Sequence, residues 1–280
     1  MLAVLAVLLL IVGLAVALVA RDDSPCVPTT EQDCGCHGDT TGRGLIGEYT
    51  EHTYTLGRRS STYRVYDTGV DRTEPVGVLV RLHGDGAYEY DHSPTFVACL
   101  ATIAASRNLV LVIPRSPSRD LTWWTRLDRN VDWLSAFQRD RVLTLEGVDP
   151  QRVWWMGYSG GAEMITYGLL PTQGDLVTGG ALMLGGGGAP SSGLGAGTVP
   201  ASRRTDLPLT WVTGMHDDGS DPAAEFDALS AAHAGAAFYR EAGFSSTVTD
   251  FARDEDHFTL DQVAILHDQL SVRELSATPE

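Results

Sequence analysis

From residue 52 onward, short apolar runs alternate with longer stretches in which apolar positions recur every three or four residues. Residues 52–56 and 62–66 alternate apolar with polar side chains around Gly57-Arg58-Arg59-Ser60, which predicts two strands joined by a turn. Residues 76–82, Val-Gly-Val-Leu-Val-Arg-Leu, predict a fuller strand ending at His83-Gly84-Asp85-Gly86. Residues 94–107 place Phe96, Leu100, Ile103 and Ala104 at helical spacing. The run 109–113 is wholly apolar and stops at Pro114, as expected of a strand covered on both faces of a parallel sheet. The same reading gives a helix over 130–145, a strand over 152–156, a helix over 162–170 and a strand over 178–184. A loop of small residues over 185–204 follows. A strand over 207–213, a helix over 222–242, a strand over 246–251 and a helix over 258–270 close the chain.

Two strands followed by strict alternation of strand and helix predict an α/β fold. Its sheet is mostly parallel, with an antiparallel N-terminal edge and helices on both faces. Ligands of such sheets sit beyond the carboxyl ends of the strands. Candidate chemistry is therefore sought immediately after each strand.

Composition narrows the choice. With 280 residues, 43% hydrophobic and 20% charged, the chain suits one large globular domain. A formal net charge of −16 repels a phosphate backbone and argues against a nucleic-acid partner. Every basic residue is Arg, which excludes Schiff-base chemistry and any phosphate loop that needs Lys.

Residues 1–20 are apolar apart from Gly13. At ~1.5 Å per residue about 20 residues just span a bilayer core. They read as an uncleaved anchor or as a signal peptide cut near Ala17 or Ala20. The expected organisation is this segment, a polar linker over 21–48, an α/β domain over 49–275 and a tail over 276–280. Export places the chain outside the cytoplasm, membrane-anchored or secreted, where two of Cys26, Cys34 and Cys36 pair or one reaches Cys99. Cys34 and Cys36 are too close to bond to each other easily. Cys34, Cys36 and His37 lack a fourth zinc ligand at the usual spacing. Cys99, among apolar neighbours on a predicted helix, reads as a buried thiol. No cofactor or metal is expected.

Gly157-Tyr158-Ser159-Gly160-Gly161 fits G-x-S-x-G between a predicted strand and a predicted helix. Flanking glycines allow a tight turn that lifts the Ser159 oxygen above the sheet and aims the Gly160 N–H at a developing oxyanion. A second donor is expected after strand 76–82, from the Asp85 N–H first and Gly86 second, with the Asp85 side chain directed away. His83 either takes part or braces this loop. The base is expected to be His257, in the loop after strand 246–251, since His233 and His267 fall within predicted helices. The acid is expected after strand 207–213, at Asp217 first and Asp218 second, with Gly214 turning the chain. Asp254 and Asp256 read as solvated charge. His216, Asp217, Asp218 and Asp221 lack the alternate spacing of a calcium loop. Trp123 and Trp124 either wall the site or pack.

His83-Gly84, Gly157-x-Ser159-x-Gly161, Gly214-x-x-Asp217 and His257, in that order and each after a strand, resemble the α/β-hydrolase superfamily over residues 52–270. The chain is similar within it to secreted esterases of the feruloyl-esterase and polyhydroxybutyrate-depolymerase kind, which carry Cys where this chain has Asp85. The resemblance implies an α/β-hydrolase fold and a serine esterase working through an acyl-enzyme on Ser159. The short loop 185–204 predicts no large cap, and so a small-molecule or polymeric ester substrate. A serine peptidase on the same fold, or a non-catalytic membrane-anchored binding protein, are the alternatives.

Overall fold

The computed structural model describes residues 45–191 and 197–274. The apolar segment 1–20, most of the linker, Cys26, Cys34, Cys36 and the tail lie outside the described residues.

Eight strands form one sheet: β1 Thr50–Leu56, β2 Arg59–Tyr66, β3 Val76–Leu82, β4 Leu109–Pro114, β5 Val148–Tyr158, β6 Gly180–Leu184, β7 Leu209–Gly214 and β8 Thr247–Arg253. Their order is β1-β2-β4-β3-β5-β6-β7-β8. β2 runs antiparallel to both neighbours, and every other pair is parallel. A tight turn can join only antiparallel strands, whereas each parallel pair needs a helical crossover. β1 and β3 through β8 therefore point the same way, and their carboxyl ends share one edge.

The helices are α1 Tyr88–His92, α2 Pro94–Ser106, α3 Leu127–Phe137, α4 Gly160–Glu163, α5 Leu170–Gln173, α6 Ala201–Arg204, α7 Ala228–Glu241 and α8 Gln262–Glu274. They divide the apolar runs of the strands between two cores. Val78, Val80, Val110, Val112, Ala181, Met183 and Trp211 pack with residues of α3, α4 and α7. Leu79, Leu111, Ile113, Leu182, Leu184 and Val212 pack with α2 and α8 on the opposite face. Strand side chains alternate between faces. Burial on both sides is why β3, β4 and β6 show no polar alternation.

Three of the helix boundaries that move do so for a local polar reason. Helix 222–242 starts at Ala228 because the Asp227 carboxylate accepts the Ser230 N–H at 2.8 Å and caps it there. Helix 258–270 starts at Gln262: the Asp256 carboxylate takes the N–H groups of Phe258 and Thr259 into a turn, and the Asp261 carboxylate caps the helix by accepting the Ala264 N–H at 2.9 Å. The helix over 130–145 ends at Phe137 and continues as one wide turn, Gln138–Val142. The Gln138 side chain donates there to the Leu176 carbonyl, and the Tyr54 hydroxyl donates to Asp140. Cys99 corrects the expectation of a free thiol: it is buried and disulfide-bonded, and no cysteine among the described residues is free.

Candidate active site

β5 leads into Ser159 and α4 follows it at once. Ser159 has φ 50° and ψ −122°, a conformation that L-residues with side chains rarely adopt. The turn holds that strain because its ends are tied. The Ser159 N–H donates to the Leu184 carbonyl at 2.9 Å, and the Ser159 carbonyl accepts the Ala162 N–H at 2.8 Å. The glycines are sterically required. A Cβ on Gly157 would stand 2.4 Å from the Gly161 carbonyl oxygen, and one on Gly161 would stand 2.5 Å from that of Leu82.

The structure brings Ser159, His257 and Asp217 together. His257 Nε2 lies 3.1 Å from Ser159 Oγ, so the hydroxyl donates to the imidazole. His257 Nδ1 lies 2.8 Å from Asp217 Oδ2 and donates to it. Asp217 is 2% exposed, and its Oδ1 has no hydrogen-bond partner among the described residues. The His257 ring is therefore the group that compensates this buried carboxylate. The Tyr158 hydroxyl fixes the His257 backbone by donating to its carbonyl at 2.6 Å. Burial, then the Glu89 and Asp217 charges, raises the Tyr158 pKa well above that of a free phenol, so it stays a donor.

The other candidate acids and histidines point elsewhere. Asp218 accepts the Ser220 N–H, Asp221 accepts the Ala223 N–H, and His216 pairs with Asp254. His233 is exposed on α7, and His267 on α8 lies beside Asp268. Among the described residues no three His, Cys, Asp or Glu side chains gather as metal ligands.

The loop after β3 lies against the serine. A Cβ on Gly84 would stand 3.5 Å from Ser159 Cβ. His83 is 1% exposed and braces this loop. Its Nδ1–H donates to the Gly84 carbonyl at 2.6 Å, and its Nε2 accepts the Ser116 N–H at 2.9 Å. Burial pulls its pKa down to about 4, so the ring is neutral near pH 7. The Asp85 carboxylate corrects the expectation that it points away. Its Oδ2 accepts the Trp124 indole N–H at 2.9 Å, and its Oδ1 would stand 2.1 Å from a Cβ on Gly160. Burial among these groups raises the Asp85 pKa, against the opposing effect of the Trp124 hydrogen bond.

No family model matches the chain, and no curated protein matches it by sequence. It superposes on a thermostable esterase with TM-score 0.59 and 14% identity, covering 83% of this chain and 63% of that one. It superposes on poly(aspartic acid) hydrolase-1 from Sphingomonas sp. KT-1 with TM-score 0.56 and 17% identity, over 80% of this chain and 97% of that one. A CE1 ferulic acid esterase from Anaeromyces mucronatus gives TM-score 0.54 and 14% identity, over 84% and 92%. The chain has the α/β-hydrolase fold.

On this α/β-hydrolase sheet, motif spacing leaves several site residues unseen. Glu89 on α1 accepts the Gly84 N–H at 3.2 Å and pairs with the buried Arg81 of β3 at 3.2 Å. Arg81 also donates to Gln262 of α8 at 2.6 Å, tying the Gly84 loop to the helix that follows His257. The buried Glu163 of α4 accepts the N–H groups of Gly187 and Gly188 and fixes the loop after β6. Trp123 is buried and donates to the His83 carbonyl, so it packs. Trp124 is exposed and stands at the site, as do the exposed rings of Phe226, next to Gly186, and of Phe258, next to His257. Exposed aromatics carry no periodic signal; only the fold shows that these flank one serine. Between β6 and β7 the one helix among the described residues is the single turn α6.

Proposed function

We propose that this chain is a serine hydrolase acting on carboxylic esters outside the cytoplasm through an acyl-enzyme on Ser159. The observation that carries the reading is the hydrogen-bonded series Ser159–His257–Asp217, set on a strained turn at the carboxyl edge of the sheet. The esterase names of the structural neighbours support it.

In the first step His257 Nε2 takes the Ser159 proton as Oγ attacks the ester carbonyl. The Gly160 and Asp85 N–H groups meet the developing oxyanion, each such donor being worth about 3–4 kcal/mol. Asp217 stabilises the imidazolium that forms. The imidazolium then gives its proton to the departing alcohol. Water, deprotonated by His257, attacks the acyl-enzyme, and the proton returns to Ser159 as the acid leaves. Exposed Trp124, Phe226 and Phe258 around Ser159 suit a bulky ester. Extracytoplasmic action is supported by the apolar segment 1–20 and by the disulfide at Cys99.

The test is hydrolysis of a short- to long-chain p-nitrophenyl ester series, with labelling by an active-serine phosphonate, for the wild type and Ser159→Ala. Turnover and labelling in the wild type, both lost in the variant, are expected. Labelling that persists in Ser159→Ala refutes the assignment.

A further inference from the structure

The turn joining β1 to β2, the loop 115–126 and the first turn of α3 line an open surface cavity of about 480 Å³. Arg58, Arg59, Arg119, Arg126 and Arg129 line it, with Ser118 and Asn130. No lining residue is acidic, although the chain holds 36 Asp and Glu against 20 Arg. Arg64, Arg72, Arg81, Arg115, Arg139 and Arg253 each pair with a carboxylate. Among the described residues none of the five cavity arginines does; Arg141, Arg152, Arg203, Arg204, Arg240 and Arg273 form no such pair either, and what sets the five apart is that they line one space. Guanidinium groups gathered around one space repel each other, and the chain has carboxylates to spare that it has not placed there.

The walls are built rather than accidental. Asn130 is 1% exposed and donates to the Trp123 carbonyl at 2.6 Å. Its Oδ1 accepts the Ser118 hydroxyl at 3.1 Å, and Ser116 Oγ donates to the Thr122 carbonyl at 2.6 Å. Arg59 donates to the Arg129 carbonyl, joining the turn to α3. The loop that presents Arg119 and Arg126 is thus held by buried polar anchors.

Position decides what the cavity serves. β1 runs parallel to β5, so the turn carrying Arg58 lies on the edge where Ser159 follows β5. The loop that carries Arg119 and Arg126 also carries Trp124, whose Cδ1 would stand 3.1 Å from a Cβ on Gly160. One sheet edge and one loop therefore serve both the serine and the arginines. The planar guanidinium fork matches carboxylate, phosphate and sulfate oxygens two at a time. A chain with net charge −16 repels anions in general, so holding one takes a local concentration of positive charge such as these five arginines supply.

We propose that the arginine cavity anchors an anionic portion of the substrate, a segment bearing carboxylate, phosphate or sulfate groups, while an ester elsewhere in the same molecule meets Ser159. The substrate role rests on the serine-hydrolase reading; anion binding as such does not.

Two measurements test it on the full chain. Calorimetry with inorganic tripolyphosphate on the Ser159→Ala protein reads the site alone, and adding Arg119→Ala and Arg126→Ala is expected to weaken binding at least tenfold. Kinetics compare a partially methyl-esterified polyglutamate, followed by methanol release, with neutral p-nitrophenyl acetate. In the Arg119→Ala/Arg126→Ala protein the ratio of kcat/KM for the polyanionic ester to that for the neutral ester is expected to fall about tenfold, through KM. Arg119→Lys/Arg126→Lys is expected to recover part of it. Tripolyphosphate binding that is absent, or equal with and without the two arginines, overturns the anion site. Binding that is lost while the ratio stays unchanged identifies a site for free inorganic anions and overturns the substrate role. A wild type inactive on p-nitrophenyl acetate points instead to failure of the hydrolase reading, and the calorimetry still decides the anion site.

Discussion

Asp85 offers the sharpest test of how the site handles charge. Its backbone N–H is the proposed second oxyanion donor, yet its carboxylate Oδ1 would stand 2.1 Å from a Cβ on Gly160, beside the first donor. A carboxylate there opposes the negative charge that builds on the substrate. Two unit charges ~5 Å apart repel by about 3 kcal/mol at an effective dielectric of ~20. Asp85 is open to solvent on one side, which cuts this to about 1.5 kcal/mol, or roughly tenfold in rate. Asp85→Asn keeps the backbone donor and keeps an oxygen to accept the Trp124 indole N–H. The assay is kcat/KM on p-nitrophenyl acetate, which carries no charge of its own. At pH 8 the variant is expected to exceed the wild type by about tenfold. The sign with pH follows from the raised Asp85 pKa. As pH falls through it, the wild-type carboxyl gains a proton, the repulsion vanishes, and the advantage of Asn shrinks towards one. A variant no faster than the wild type at pH 8, or an advantage independent of pH, refutes the electrostatic reasoning.

Other residues give independent checks. Asp217→Asn is expected to lower kcat on the order of 10⁴-fold with little change in thermal midpoint, because the His257 tautomer is lost while the packing stays. Tyr158→Phe removes the donor that holds the His257 carbonyl and is expected to lower kcat several-fold with KM unchanged. Arg81→Ala leaves Glu89 without its partner and is expected to cost about 3–5 kcal/mol in guanidinium unfolding, with Arg81→Met/Glu89→Gln recovering much of it. His83 is neutral in the fold down to about pH 4, whereas the unfolded ring takes a proton near 6.5. The unfolded state thus binds more protons between those values, and stability falls by about 3 kcal/mol as pH drops from 6.5 to 4. His83→Gln is expected to flatten that part of the stability–pH curve.

The order of elements was legible because burial on both faces leaves unbroken apolar runs, as in 109–113, and because turns are written in Gly, Pro and Asp. Strand centres were clearer than helix starts. Asp227 and Asp261 set two helix starts by side-chain capping, which competes with apolar periodicity and leaves no periodic mark of its own. Ser159, Asp217 and His257 could be picked out because each follows a strand in the order this fold uses. Glu89, Glu163, Tyr158 and Phe226 could not. Each acts by meeting a group from a different element, and only the folded sheet sets that distance. The direction of the Asp85 side chain was misread for a related reason. Chemistry alone argues against a carboxylate beside an oxyanion, but Trp124, thirty-nine positions on in sequence, supplies the indole N–H that holds it there.

That contact also joins two features that sequence keeps apart. Loop 115–126 presents Trp124 to Asp85 and, within the same dozen residues, Arg119 and Arg126 to the cavity beyond. A substrate end seated among the arginines would bear on the loop that carries the indole, and so on the position of the carboxylate beside Gly160. If the two are coupled, an anion in the cavity changes how strongly Asp85 opposes the oxyanion. Tripolyphosphate added to the wild type is then expected to alter kcat on neutral p-nitrophenyl acetate, and to do so much less in Asp85→Asn, where there is no charge left to move. An equal effect of tripolyphosphate on both proteins would show that the loop does not transmit it.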